Sequence, residues 1–326
     1  MSLVRLVLAL IFCGAASMAS AAGLRLIDIP ASGEAEALKA AIWSPCEQQP
    51  ETKQVAAFLV TAKQDCPVTK DKLPLIVISH GLGGTIYGHH DTAQTLADNG
   101  FLVVSLNHPG DSGMSMRYPW DMKAFERRPA DISRVIDYML KGSPLAGQID
   151  ASRIGVFGFS RGGFTSLVVA GAEPDFAGSG IPCPQQRLLC RQIKQEGANA
   201  RRWAHDARVR AAAAVDPLNA FPTAASLKGV HIPLLLWISE NGGEGVVPEV
   251  EARLPSMLPT LKNYRMVPNS GHFAFLAPCA AAVAKEEPEI CQDAPGFDRA
   301  AFHQEMNAAV LAFFQQELKA AVKSSE

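Results

Sequence analysis

A serine between two glycines, and a histidine beyond the last apolar runs, carry the clearest chemistry in this sequence. Gly158-Phe159-Ser160-Arg161-Gly162 fits G-x-S-x-G. Three fixed positions arise by accident in roughly one chain in ten of this length at ~7% Gly and Ser usage. The surroundings add weight. The apolar run Ile154 to Phe157 leads directly in, and a helical segment leads out from about Gly162. A nucleophilic serine on a tight strand-to-helix turn has this context, with glycines letting neighbouring backbone pass without a Cβ clash. The amides that open the helix then face a developing oxyanion.

A serine hydroxyl needs an adjacent base to act as nucleophile. Eight histidines are present. His272, in Asn269-Ser270-Gly271-His272-Phe273, follows the run Tyr264 to Val267 and precedes the final helical region. That position satisfies the chain order serine, acid, histidine. His80 and His108 are expected to shape loops beside the pocket. His89-His90-Asp91 does not read as a metal site, because adjacent residues on one helix diverge. Two acids stand in the required interval: Asp216, in Ala214-Val215-Asp216-Pro217, and Glu244, in Asn241-Gly242-Gly243-Glu244. Either could orient His272 and stabilise its imidazolium. A glycine-rich turn, Ser79-His80-Gly81-Leu82-Gly83-Gly84, follows another apolar run. It can aim a backbone N–H, that of Leu82, at the same point as the N–H of Arg161. It lacks the Lys-Ser/Thr ending of a P-loop.

These residues must be held by strands and helices, and the apolar pattern supplies both. Short β-branched runs at Leu75–Ser79, Phe101–Leu106, Ile154–Phe157, Val209–Val215, Ile232–Ile238 and Tyr264–Val267 alternate with helical segments. Those segments are Thr92 to Asn99, Ala130 to Leu140, the stretch after Gly162, and Ala300 to Leu318. Near-continuous apolar strands separated by helices predict an α/β fold, a mostly parallel central sheet with helices on both faces. Active residues then belong at the strands' C-terminal ends. Gly23 to Ile29, Leu38 to Trp43 and Val55 to Val60 are expected to add antiparallel edge strands. Two excursions, Ala172 to His205 and Ala277 to Gly296, follow catalytic candidates, where a lid or pocket wall would lie.

The chain has 326 residues, 48% hydrophobic and 19% charged, with a formal net charge of −2. That composition suits a large globular core and shows no electrostatic footprint for nucleic acid. Arg5, the apolar run Leu6 to Phe12 and the ending Ala19-Ser20-Ala21-Ala22 describe an export signal over residues 1–22. The run is too short for a membrane span. Residues 23–326 are then expected to form one domain, periplasmic or secreted. Beyond the signal stand Cys46, Cys66, Cys183, Cys190, Cys279 and Cys291. An even count behind an export signal predicts disulfides. Six cysteines allow 15 connectivities, and three local couples, 46–66, 183–190 and 279–291, have the shortest separations.

On these motifs the chain resembles the α/β-hydrolase superfamily, and within it the platelet-activating-factor acetylhydrolase and bacterial dienelactone-hydrolase-related branch, from about Pro74 onward. The resemblance implies that the His80-Gly81-Leu82-Gly83 turn supplies an oxyanion donor at Leu82. It also implies that the acid follows the strand after the nucleophile helix, at Asp216. In that branch the next strand ends in a Ser-Glu pair, here Ser239-Glu240, without the acid, which ranks Asp216 above Glu244. Dienelactone hydrolases proper place Cys where Ser160 stands, and Phe159 replaces the His or Tyr-like residue of the acetylhydrolases. Asn107-His108-Pro109-Gly110-Asp111-Ser112-Gly113 is nearer the bacterial relatives. The implied activity is hydrolysis of a short-chain ester, acylated lipid or lactone through an acyl-enzyme, with no cofactor or metal. A peptidase or amidase using the same residues is the rival within the class, and a non-catalytic binding protein the rival outside it.

Overall fold

The computed structural model describes residues 21–179, 181, 188–196 and 202–319. The expected signal therefore lies outside the described residues up to position 20, as does Cys183. Among the described residues the ten strands are β1 (Ala21–Ile29), β2 (Leu38–Cys46), β3 (Glu51–Val55), β4 (Phe58–Gln64) and β5 (Leu73–Ser79), then β6 (Leu102–Leu106), β7 (Ile149–Phe159), β8 (Val209–Val215), β9 (Leu234–Ser239) and β10 (Leu261–Val267). They form one sheet in the order β10-β9-β8-β7-β5-β6-β2-β1-β4-β3. From β6 to β10 every neighbouring pair is parallel, while β2 joins β6 and β1 antiparallel. This is the α/β-hydrolase fold.

Burial follows position in the sheet. β5, β6 and β9 are buried at every residue, whereas β10 at one edge alternates until its last residue. At the other edge β4 alternates and β3 is exposed along most of its length. Helices α1 (His90–Asp98) and the C-terminal helix Arg299–Glu317 cover one face, through Ala93, Leu96, Phe302, Met306 and Val310. Helices α2 (Met122–Asp137) and α3 (Arg161–Val169) cover the other, through Phe125, Ile132, Val135, Phe164 and Leu167. Burying apolar strands between two helical layers removes both faces of the sheet from water. No helix among the described residues is long and apolar enough to cross a membrane.

Three sequence expectations are corrected. The run Val55 to Val60 is not one strand: a hairpin turn at Ala56-Ala57 divides it, with Ala56 at φ 49° and Val55 paired to Phe58. Two small apolar residues concealed that turn. β1 and β2 lie inside the sheet rather than at its edge. Helix α2 starts at Met122, well before Ala130, because the Asp121 carboxylate caps it by accepting from Lys123 N–H at 3.0 Å. The helix carries Pro129 in its interior and continues into a π turn, Tyr138–Gly142. Ala21 and Ala22, at the end of the expected leader, pair with Cys46 and Pro45 in β1.

Two of the expected disulfides are present. Cys46–Cys66 ties the end of β2 to the chain leaving β4, and Cys279–Cys291 closes the second excursion.

Candidate active site

The parallel strands β7 and β8 end side by side, and each hands the chain to a strained residue. Ser160 follows β7 at φ 57°, ψ −121°, and Asp216 follows β8 at φ 43°. Non-glycine residues in this left-handed region cost of order 1–3 kcal/mol, held by surrounding structure. The holding bonds are Ser160 N–H to Val215 O at 3.0 Å and Asp216 N–H to Trp237 O at 2.7 Å. The flanking glycines are sterically required. A Cβ on Gly158 would lie 2.0 Å from the Gly162 carbonyl oxygen, and one on Gly162 would lie 1.9 Å from that of Ser79.

His272 opens a short 3-10 turn after β10 and is anchored by its N–H to Gly242 O at 2.8 Å. Its Nε2 lies 2.9 Å from Ser160 Oγ, and its Nδ1 lies 2.6 Å from Asp216 Oδ2. A carboxylate can only accept, so Nδ1 carries the proton and Nε2 is left to accept from the Ser160 hydroxyl. All three side chains are buried. Glu244 is exposed, at φ 53°, in the loop after β9, and lines a cavity of about 370 Å³ beside His272. The structure thus brings Asp216 to His272 and leaves Glu244 at the rim.

Several contributors were invisible in the sequence. Ser239 donates to Asp216 twice, from its N–H to Oδ1 at 2.6 Å and from its hydroxyl to Oδ2 at 2.9 Å. The Phe159 ring stacks on the His272 imidazole at 4.6 Å between centroids, 26° from parallel. Glu251 is buried, and desolvation together with the charge of Asp216 pushes its carboxyl well above the usual range.

The Ser79–Gly84 turn lies against the nucleophile: a Cβ on Gly81 would be 3.1 Å from Ser160 Cβ. Three donors hold the Gly81 carbonyl. They are Arg128 Nη2 at 3.1 Å, Gly84 N–H at 3.2 Å and His80 Nδ1 at 2.6 Å. His80 Nε2 accepts from His108 N–H at 3.1 Å, which places the ring proton on Nδ1. His108 in turn lies between Asp131 Oδ2, at 3.0 Å from Nδ1, and Ser79 Oγ, at 2.9 Å from Nε2. Burial and the Arg128 charge hold both imidazoles well below the usual histidine range, so both are neutral. The expectation that His80 and His108 shape loops matches this arrangement. Arg161 is the first residue of α3, so its backbone N–H lies at the helix N-terminus. His89 packs edge-on against the Phe157 and Phe159 rings, while Asp91 pairs with His303.

The excursions border this site. Glu289, Gln292 and Asp293 wall the cavity next to His272. Helix α4 (Leu188–Glu196) docks through Leu189 N–H to Trp120 O at 2.7 Å, and the Trp120 ring faces the Arg161 guanidinium at 5.5 Å.

Known proteins agree with this fold. The family model for serine aminopeptidase S33 matches residues 70–188. A platelet-activating factor acetylhydrolase of Cavia porcellus is 25% identical, over 42% of this chain and 44% of that protein. Cutinase est1 of Thermobifida alba is 31% identical, over 31% of each. The chain spans under half the length of these curated relatives. A solved ferulic acid esterase from Streptomyces cinnamoneus superposes with a TM-score of 0.64 at 19% identity, covering 93% of this chain and 91% of that one. The sheet order and the superposition show the α/β-hydrolase fold, and the sequence matches liken the chain to hydrolases of that superfamily.

Proposed function

We propose that this protein is a serine ester hydrolase in which Ser160 is the nucleophile, His272 the general base and Asp216 the acid that orients it. The observation that carries the reading is the unbroken series Asp216 Oδ2, His272 Nδ1, His272 Nε2, Ser160 Oγ, at 2.6 and 2.9 Å. His272 Nε2 takes the hydroxyl proton as Ser160 Oγ attacks the ester carbonyl carbon. The N–H groups of Leu82 and Arg161 hold the resulting oxyanion, and Asp216 stabilises the imidazolium. His272 then returns the proton to the departing alcohol, leaving an acyl-Ser160. Water, deprotonated by the same Nε2, hydrolyses that ester and frees the acid. Short-chain esters, acylated lipids and lactones are the substrates this reading names, and the esterase and acetylhydrolase relatives support the class. A fluorophosphonate probe should attach covalently to Ser160, and peptide mapping that found the label elsewhere would refute the assignment.

The serine aminopeptidase family match favours a second reading, amide cleavage by the same residues. Rates on a matched ester and amide of one acyl group decide between them. Residues 1–22 are read as a leader removed on export, with 23–326 acting as one catalytic unit in an oxidising compartment. The two disulfides support export. N-terminal sequencing of the mature protein tests it, and an intact Met1 would count against it.

A further inference from the structure

The loop after β6 carries a carboxylate that the chemistry above does not use. Asp111 is buried, and its Oδ2 accepts from two guanidinium groups: Arg128 Nε at 2.6 Å and Arg161 Nη1 at 3.0 Å. Each arginine leads to one of the two amides assigned to the oxyanion. Arg128 also donates to the His80 carbonyl at 2.6 Å and to the Gly81 carbonyl at 3.1 Å. No peptide bond is cis among the described residues. In a trans peptide the N–H points opposite to the C=O. Holding the Gly81 carbonyl toward Arg128 therefore turns the Leu82 N–H away from it. Arg161 brings its own backbone N–H, and its side chain folds back to Asp111, stacked on Phe125 at 4.3 Å.

We propose that Asp111 is a positioning residue for the oxyanion hole, fixing the Leu82 and Arg161 amides relative to one another through the Arg128 and Arg161 side chains. The inference rests on the ester-hydrolase reading. Three further observations favour it. The Asp111 loop is tied to the turn by Gly113 N–H to Gly84 O at 2.9 Å, and to the chain just after it by Ile86 N–H to Asn107 Oδ1 at 2.9 Å. Two guanidinium groups share the one buried Asp111 carboxylate, so Arg128 and Arg161 are held to a common anchor. Donors held in place in a buried region stabilise an oxyanion without reorganising during the reaction.

The test uses the full-length chain and the variants Asp111→Asn, Asp111→Ala and Arg128→Lys. Readouts are kcat and KM on p-nitrophenyl acetate, the affinity for phenylboronic acid, and fluorophosphonate labelling of Ser160. A boronate on Ser160 places a charged oxygen where the oxyanion forms. In the wild type, boronate should shift the Leu82 and Arg161 amide proton resonances downfield. Asp111→Ala should lose ~10²-fold in kcat with KM within about threefold, since donor misplacement is felt in the transition state. Boronate affinity should fall by a similar factor, and Arg128→Lys should follow because an ammonium cannot span both carbonyls. The inflection of the pH–rate profile from His272 should stay where it is. If Ser160 labels and both amides shift, yet the folded variants keep kcat and boronate affinity within about threefold, this proposal alone is overturned. If wild-type Ser160 does not label and neither amide shifts, the ester-hydrolase reading falls and takes this one with it. Failure of all three variants to fold makes Asp111 a stability element and overturns the positioning role.

Discussion

Ser239 donates to both carboxylate oxygens of Asp216, and one of those oxygens also faces His272 Nδ1 at 2.6 Å. The carboxylate therefore has a fixed orientation before any substrate arrives. Asp216→Asn keeps the shape but can present an amide N–H where His272 needs an acceptor, favouring the wrong tautomer. Turnover should fall by about 10⁴-fold, as for the same change in a serine protease triad. Glu244→Gln should leave turnover within about twofold, because surface changes away from such contacts have small effects. Steady-state kinetics at two pH values checks this, and a larger loss in Glu244→Gln than in Asp216→Asn would contradict the geometry.

Replacing Ser160 separates chemistry from strain. Ser160→Ala should abolish ester hydrolysis by ~10⁴-fold or more, leaving oxyanion and binding effects. It keeps the left-handed backbone at φ 57°. Ser160→Gly should be equally inactive but more stable than Ser160→Ala by about 1 kcal/mol, as glycine relieves the strain at some entropic cost. Paired denaturant titrations measure the difference, and an alanine variant as stable as the glycine one would argue against a strained nucleophile.

Asp131 should leave a mark on stability against pH. Burial pushes its carboxyl up to about 7, with Arg134 only partly opposing that rise. A carboxyl raised in the fold keeps its proton in the native chain while the unfolded chain has already lost it. Its contribution to stability is present below about pH 4 and is lost as pH rises toward 7. The total is about 4 kcal/mol at most, at about 1.4 kcal/mol per pH unit. Asp131→Asn removes this proton exchange, so wild type should lose stability relative to that variant between pH 4 and 7. Parallel pH profiles of the two proteins would refute the assignment.

Removing Cys46–Cys66, whose partners are separated by 20 positions, should cost about 3 kcal/mol in the chain-entropy model. Thermal unfolding of the double Cys→Ala variant measures it. Peptide mapping of the unreduced protein should also recover Cys183 joined to Cys190, and a different pairing would remove that third staple.

The places of Ser160 and His272 were legible because Ser160 closes one apolar run and His272 follows shortly after another, in the expected chain order. The strands β5 to β9 were legible for the same reason: burial on both faces leaves little room for polar residues. Asp111, Arg128 and Ser239 were not. Arg128 lies in a helix as one of two adjacent arginines, where a charge ordinarily faces water, yet it is fully buried. Its role exists only once Asp111 and the Gly81 carbonyl are brought to it by different strands. Choosing between Asp216 and Glu244 likewise required a family resemblance, since both follow strands and only distance to His272 separates them.

The Ala280 N–H donates to the Ala57 carbonyl at 2.7 Å, resting the second stapled loop on the tip of the β3–β4 hairpin. The hairpin is made well before the loop that supports it, since Ala57 precedes Ala280 by most of the sheet. Cys46–Cys66, being local, can close around the hairpin as soon as the chain is oxidised, and hold it ready for that late arrival. During synthesis the crosslink within earlier chain can therefore precede the contact with later chain. Thiol trapping on nascent chains released into oxidant before Cys279 is made should find Cys46–Cys66 already closed.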